Sequence, residues 1–384
     1  MSSTVTELSK TPATGPVSLP GPQLTKPPKE QEQFVYFSYE GAFTGRRSIS
    51  LTSGEDQPFT SIPTIDISLL FSPIVEERAA IARELADACE HVGFSYITGH
   101  GVASPLIERT FETTRKYFDL PLERKMRNWI YGSGHLRGYE PVHGARVDPS
   151  KKLGADRNEG FLMGYEPSLD PSPPKLTEEQ EKKLKEWTNN FPPEPELAWF
   201  QRDLKAYHSE LLGLSRRLMR AFALALGVGE AWFDERGEMD RPNTAMKVIH
   251  YPPQEVDDGS ETGIGAHTDF SCFTLLQTSA PGLEVLNPKG RWVPAPPKEG
   301  AYIMNVGDFL MRMSNGRFQS TVHRVRNLGG EERYSIPFFF NTNLDAPVQV
   351  RLREIRLTVW VIRLSGASNV SVAWGSSEVP KPDG

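Results

Sequence analysis

The sequence predicts an α+β protein, mainly β, with a double-stranded β-helix (jelly roll) core, a helical backing layer and an α/β N-terminal region. Three observations carry this. From Ala245 onward short strands alternate with Gly, Pro and Asn turns, the pattern of a double-sheet sandwich or jelly roll. Upstream, Ala198 to Leu226 has Leu204, Tyr207, Leu211, Leu214, Leu218 and Phe222 at steps of three and four, which is one long helix with an apolar stripe. Earlier still, a helical period from Ile74 to His91 lies between strand-like Ile62–Ile67 and Phe94–Ile97.

Taken in order, residues 1–30 are rich in Ser, Thr, Pro and Lys and poor in large apolar side chains, so a disordered tail is expected there. Folded sequence should begin near Phe34, with Ile62–Ile67 as a first short strand, and 31–170 forms an N-terminal region. Gly93 is a stop signal after the first helix, and Leu106–Phe118 is a second, ended by Leu120-Pro121. His91 and His100 stand at element boundaries without a partner at ligand spacing, so both are assigned structural roles. Gly132–Gly164, with Arg137-Gly138-Tyr139, Arg146 and Asp156–Phe161, suits a loop-and-strand wall over a pocket; a solvated charge cluster is the plainer reading.

Pro171–Pro174 breaks the chain and opens a helical backing segment, 171–240. It holds a charged helix, Thr177–Asn189, and the long stripe, which Gly227 closes with a left-handed cap. The jelly-roll core is placed at 241–345. Within it Asn305-x-Gly307-Asp308 and Ser314-Asn315-Gly316 read most simply as turns that shape the fold.

Composition bounds the partners. With 384 residues, 38% hydrophobic and 24% charged, the chain is a globular protein of one large or two smaller domains. A net charge of −6 gives no electrostatic case for nucleic acid or anionic membrane. No apolar run reaches spanning length, and Cys89 and Cys272 are expected as reduced thiols, so the cytoplasm is the expected compartment and no obligate protein partner is indicated.

The chemistry concentrates between Lys247 and Phe339. His267 and Asp269 are two apart, so on a strand both side chains face one way. Phe318–Val325 reads as a further strand carrying His323; alone, that histidine would pass for an ordinary sheet residue. Together, two imidazoles and one carboxylate leave half the positions of an octahedral iron free for a cosubstrate and oxygen. His267, Asp269 and His323 are therefore the candidate metal ligands and catalytic residues. Arg333-x-Ser335, again at period two, precedes the apolar run Ile336–Phe340, and an arginine beside such a core needs a partner. A guanidinium grips a carboxylate through two parallel hydrogen bonds, and Ser335 and Tyr251 can add hydroxyls. An internal ion pair for Arg333 and plain core packing for Tyr251 are equally compatible with these residue types.

Six ordered blocks carry a resemblance: Gly263–Asp269, Pro281–Leu283, Asn305–Asp308, Ser314–Gly316, His323–Val325 and Arg333–Ser335. With Ile62–Asp66, Cys89–Gly101 and Tyr117–Pro121 upstream, the sequence resembles the iron(II)- and 2-oxoglutarate-dependent dioxygenase family, in its isopenicillin N synthase-like group. The resemblance covers most of residues 60 to 345. It implies Fe(II) on His267, Asp269 and His323, and 2-oxoglutarate as cosubstrate with its distal carboxylate on Arg333, Ser335 and Tyr251. With O2 it implies oxidative decarboxylation to succinate and CO2, coupled to hydroxylation, desaturation or cyclisation of a small organic substrate in secondary metabolism. Phe273 and Phe338 are candidate apolar walls. Two alternatives share the fold: a 2-oxoglutarate-independent iron oxidase resembling isopenicillin N synthase, and a catalytically silent binding protein. The end of the chain, 346–384, departs from the family's pattern and is set apart as a divergent C-terminal segment.

Overall fold

The computed structural model describes residues 33–39 and 43–49 as backbone, and 59–144, 156–254, 263–327 and 329–346 in full. The expected tail 1–30, Arg146 and the divergent segment from 347 onward lie outside the described residues.

The N-terminal part contains β1 (Gln33–Tyr39), β2 (Phe43–Ile49), β3 (Thr64–Asp66), α1 (Val75–His91), β4 (Phe94–Thr98), α2 (Ser104–Phe118), α3 (Leu122–Met126), β5 (Gly138–Glu140) and β6 (Glu159–Gly164). The helical segment follows with α4 (Glu178–Glu186), α5 (Ala198–Ala225) and α6 (Trp232–Glu235). The remainder is β7 (Ala245–Tyr251), β8 (Ile264–His267), β9 (Phe273–Thr278), β10 (Leu283–Leu286), β11 (Trp292–Pro294), β12 (Tyr302–Val306), α7 (Asp308–Met313), β13 (His323–Val325) and β14 (Arg333–Phe340).

Two sheets form from these strands. The smaller has the order β11-β10-β13-β8-β1-β2 and the larger β3-β4-β12-β9-β14-β7-β6-β5. Four consecutive strands of each, β11-β10-β13-β8 in the smaller and the central β12-β9-β14-β7 in the larger, are the jelly roll, and the N-terminal strands extend the smaller sheet beyond β8 and the larger on both sides. Between the sheets, Phe94, Tyr96, Ile249, Tyr251 and Ile303 of the larger meet Leu283, Val285, Val293 and Val325 of the smaller.

On its other side the larger sheet packs against α1, α2 and α5, where Phe200, Leu204, Tyr207, Leu211, Leu218 and Phe222 are fully buried. Each such side chain stabilises the layer by roughly 1.5–3 kcal/mol, so the predicted stripe is what fixes α5 to the sheet. The predicted cap is present: Gly227 has φ +75°, its N–H bonds Leu224 O and the next N–H, of Val228, bonds Ala223 O. The charged helix begins with a reciprocal capping box between Thr177 and Gln180.

Three expectations change. The hairpin β1–β2 precedes the strand expected to be first, and β1 joins the smaller sheet beside β8. Of the strand expected over Phe318–Val325, only His323–Val325 pairs as one; its lead-in is tied irregularly, with Gln319 N–H to Cys89 O and Thr321 Oγ1 to Val92 O. The charges around 137–160 are not a solvated cluster. Arg137, Asp156, Asn158 and Glu159 are buried, and Glu159 receives Lys125 Nζ at 2.7 Å, the Tyr139 hydroxyl and His250 Nδ1 at 2.8 Å. Cys89 and Cys272 are free and buried, and among the described residues no helix is long and apolar enough to cross a membrane.

Candidate metal and cosubstrate site

His267 ends β8 and His323 begins β13, and the two are direct partners in the antiparallel pairing of those strands. Register alone therefore brings their rings to 4.2 Å between centroids. Asp269 is not on the strand with His267 but two residues past its end, in the turn before β9. That turn is laced to the start of α7, with Asp308 N–H to Asp269 O at 2.9 Å and Phe309 N–H to Ser271 O at 3.0 Å. The result is convergence: Asp269 Oδ1 lies 3.6 Å from His267 Nε2 and 3.5 Å from His323 Nε2. Among the described residues this is the one group of three or more such side chains able to share an ion.

Each group has its other polar atom occupied. His267 Nδ1 is 2.8 Å from Gly265 O and His323 Nδ1 is 3.1 Å from Thr321 O. A ring nitrogen facing a carbonyl must carry the proton, which leaves the lone pair on Nε2, where an ion would take it. Asp269 Oδ2 accepts from Thr274 Oγ1 at 2.5 Å and from Asn305 Nδ2 at 2.7 Å, leaving Oδ1 toward the histidines. Asn305 belongs to β12 rather than to a turn, and it positions the carboxylate; the turn signal of Gly307-Asp308 beside it masks that role in the sequence.

Electrostatics suit a cation. Burial, with His323 nearby, pushes His267 down to about 4, so its ring is neutral at pH 7. For His323 burial also disfavours charge, but Asp269 outweighs it and raises the pKa. Burial would raise Asp269; the two histidines and Asn305 more than offset this and hold it ionised. Close by, Asp308 accepts from Ser320 Oγ at 2.6 Å and Thr268 Oγ1 at 3.2 Å, and burial lifts it to about 6.

Also between the sheets is Arg333, fully buried on β14 next to Gly282, just before β10. Its Nε donates to Pro281 O at 3.1 Å, but neither Nη1 nor Nη2 has a partner. Tyr251, its direct partner on β7, lies beneath with its ring centroid 4.6 Å away, and the Tyr251 and Ser335 hydroxyls are 3.2 Å apart. Burial presses the guanidinium pKa down, partly offset by Tyr251. Burying an unpaired guanidinium is costly, and the two idle donors of a planar fork fit a carboxylate. The structure thus brings all six predicted site residues into the space between the two sheets, the histidines from the smaller sheet and Tyr251, Arg333 and Ser335 from the larger.

Phe273 and Phe338 are not walls of this site. Phe273 stacks on Phe340 and tilts against Phe222 of α5, and Phe338 meets His208 of the same helix, so both face the helical layer. The apolar surroundings come instead from Phe94, edge-on to His323 at 5.3 Å, and from Val325 and Ile249. His100 is apart from the site, its Nδ1 accepting from Val102 N–H and its ring against Tyr302, while His91 is exposed beside Asp87.

A jelly roll enclosing two histidines, a carboxylate and an unpaired arginine has the parts of a mononuclear non-haem oxygenase that takes a carboxylate cosubstrate. The chain belongs to the 2OG-Fe(II) oxygenase superfamily: that family's model matches residues 242–342, and the "non-haem dioxygenase in morphine synthesis N-terminal" model matches 62–194. A 2-oxoglutarate-Fe(II) type oxidoreductase of Metarhizium rileyi is 34% identical over 83% of this chain and 91% of its own length. A full-length Neurospora crassa protein, solved in complex with alpha-KG and thymine, superposes with a TM-score of 0.64 at 25% identity, covering 77% of this chain and 91% of that one. JOX2, solved with 2OG, Fe and JA, has a TM-score of 0.60 at 25% identity over 79% of this chain and 81% of that one. The protein is a 2-oxoglutarate-dependent dioxygenase, and its cofactors are Fe(II) and the cosubstrate 2-oxoglutarate.

Proposed function

We propose that His267, Asp269 and His323 hold the iron, and that Arg333, Ser335 and Tyr251 hold the distal carboxylate of 2-oxoglutarate, for oxidation of a small organic substrate of secondary metabolism. The observation that carries this reading is the pair of idle Arg333 donors, buried between the same two sheets as three convergent ligand atoms. When bound, iron and 2-oxoglutarate supply the oxidation: dioxygen is consumed, 2-oxoglutarate becomes succinate and CO2, and a substrate C–H bond is hydroxylated, desaturated or closed into a ring.

The chain's own part is positioning. The Gly265 and Thr321 carbonyls fix the histidine tautomers, and Thr274 with Asn305 fixes the face Asp269 presents. Arg333 and the Tyr251–Ser335 hydroxyl pair set the orientation of the cosubstrate. Phe94, Ile249 and Val325 keep water from the cluster. The same reading takes 31–170, 171–240 and 241–345 as N-terminal, backing and core segments. It also takes the enzyme as cytoplasmic, acting on small molecules without nucleic acid, membrane or an obligate protein partner.

The test is a screen of candidate metabolites with Fe(II), 2-oxoglutarate and O2, with products and succinate both followed by mass spectrometry. Succinate should form in step with product. Product without succinate would sink the role given to 2-oxoglutarate.

A further inference from the structure

We infer that Arg137 anchors a carboxylate on the organic substrate, on the face of the larger sheet that is turned toward the metal cluster and across it from the Arg333 clamp. This deepens the function proposed above and rests on it.

Among the described residues two arginines are more than nine-tenths buried, Arg333 and Arg137, the latter 7% exposed. The first is accounted for by the cosubstrate. Among the described residues Arg137 has no carboxylate partner: its Nε is buried with no hydrogen bond, Nη1 makes one long contact of 3.3 Å to Leu136 O, and the Trp187 ring centroid lies 5.9 Å away. Burial brings its pKa down to about 10, which leaves it cationic at neutral pH. A desolvated, charged fork without a counter-ion is what a carboxylate-binding site looks like before its ligand arrives.

Its position ties it to the reaction. The Arg137 guanidinium fills the space a Cβ on Gly164 would occupy, with Nη2 2.2 Å from that point. On β6, Gly160, Leu162 and Gly164 share one face. The Lys247 chain covers Gly160 on that face, at 2.3 Å from its would-be Cβ, and Lys247 shares its face of β7 with Ile249 and Tyr251. Arg137 is therefore on the side of the larger sheet that faces the smaller one. Lys247 itself is already paired with Glu140 at 2.6 Å, so its charge is met and that of Arg137 is not.

One cross-strand row connects the two ends. Gly164 pairs with Ala245, Ala245 with Phe339 and Phe339 with Thr274, whose hydroxyl holds Asp269. Three strand spacings amount to about 14 Å. Along that row Ala245 and Phe339 are only half-buried, while Phe338 and Phe340 beside them are fully buried, which suits an apolar floor left open for a ligand. The substrate class is a carboxylic acid with an apolar body over Ala245 and Phe339, oxidised at a carbon remote from its carboxylate.

The test uses a matched pair, 4-phenylbutyrate and 4-phenylbutyramide, titrated calorimetrically into anaerobic protein saturated with Fe(II) and 2-oxoglutarate, so that Arg333 is already occupied. The wild type should bind the acid at least about tenfold more tightly than the amide. Arg137→Gln should erase that preference, and Arg137→Lys should keep part of it. A wild type that takes both alike, or neither, overturns the anchor, as does a preserved preference in a folded Arg137→Gln. If the Gln variant does not fold, the wild-type pair and the Lys variant decide. Failure of the wild type to load Fe(II) and 2-oxoglutarate at all would overturn the functional reading itself; normal loading with no preference for the acid overturns the anchor alone.

Discussion

His267 and His323 stand directly opposite each other on antiparallel strands, with ring centroids 4.2 Å apart, although the two strands are separated in sequence by most of the jelly roll. A change of register by one residue would turn one ring to the other face, so the pairing of β8 with β13 is itself part of the metal site. Four consequences are open to measurement.

Asn305 holds Asp269 Oδ2 at 2.7 Å, the oxygen that is not turned toward the histidines. Asn305→Ala should weaken Fe(II) binding by about 10- to 100-fold. Affinity for 2-oxoglutarate at saturating metal should change far less. Metal titration in anaerobic buffer checks this, and an unchanged dissociation constant contradicts it.

Arg333 is buried with two donors unpaired. Replacing it by an apolar chain removes a charge the apoprotein has not compensated, so Arg333→Met should raise the melting temperature of the protein free of cosubstrate. The same change should weaken 2-oxoglutarate by about 100-fold, because charge-assisted bonds contribute about 1.5–3 kcal/mol each. Calorimetry on one sample reads both effects, which have opposite signs.

His250 lies between Glu159 and Glu332, stacked on Tyr334. Burial alone would lower its pKa, yet the hydrogen bonds to the two glutamates more than reverse this and the pKa is raised above 6.5. A raised histidine contributes stability that is fully present below the unfolded value of 6.5 and is lost as pH rises through the folded value. Thermal unfolding should therefore show the wild type losing stability as pH rises above about 6.5. His250→Gln should flatten that part of the profile.

Gly307 follows β12 where Ser271 O would lie 2.2 Å from an added Cβ. Since Ser271 belongs to the turn that carries Asp269, Gly307→Ala should cost about 1–3 kcal/mol of stability and loosen metal binding as well. Denaturant unfolding and the metal titration would report these together.

Much of the site is legible in the sequence because its signals are short. Arg333-x-Ser335 and the long α5 stripe are local patterns, and both appear where their periods put them. Asn305 reads as a turn residue because its role depends on pairing with Thr274 across β12 and β9, which no local pattern reports. Phe273 and Phe338 read as site walls because an unbroken apolar strand does not reveal which face meets the helices. Arg137 is legible only as one of several charges, since its want of a partner is a property of the folded surroundings.

The central claim is that three side chains hold one iron. Anaerobic equilibrium dialysis of Fe(II) against the wild type and against His267→Ala, Asp269→Ala and His323→Ala tests it most directly. One tightly held Fe(II) per wild-type chain, lost in each folded variant, is the predicted result; wild-type affinity in any one of the three would contradict it.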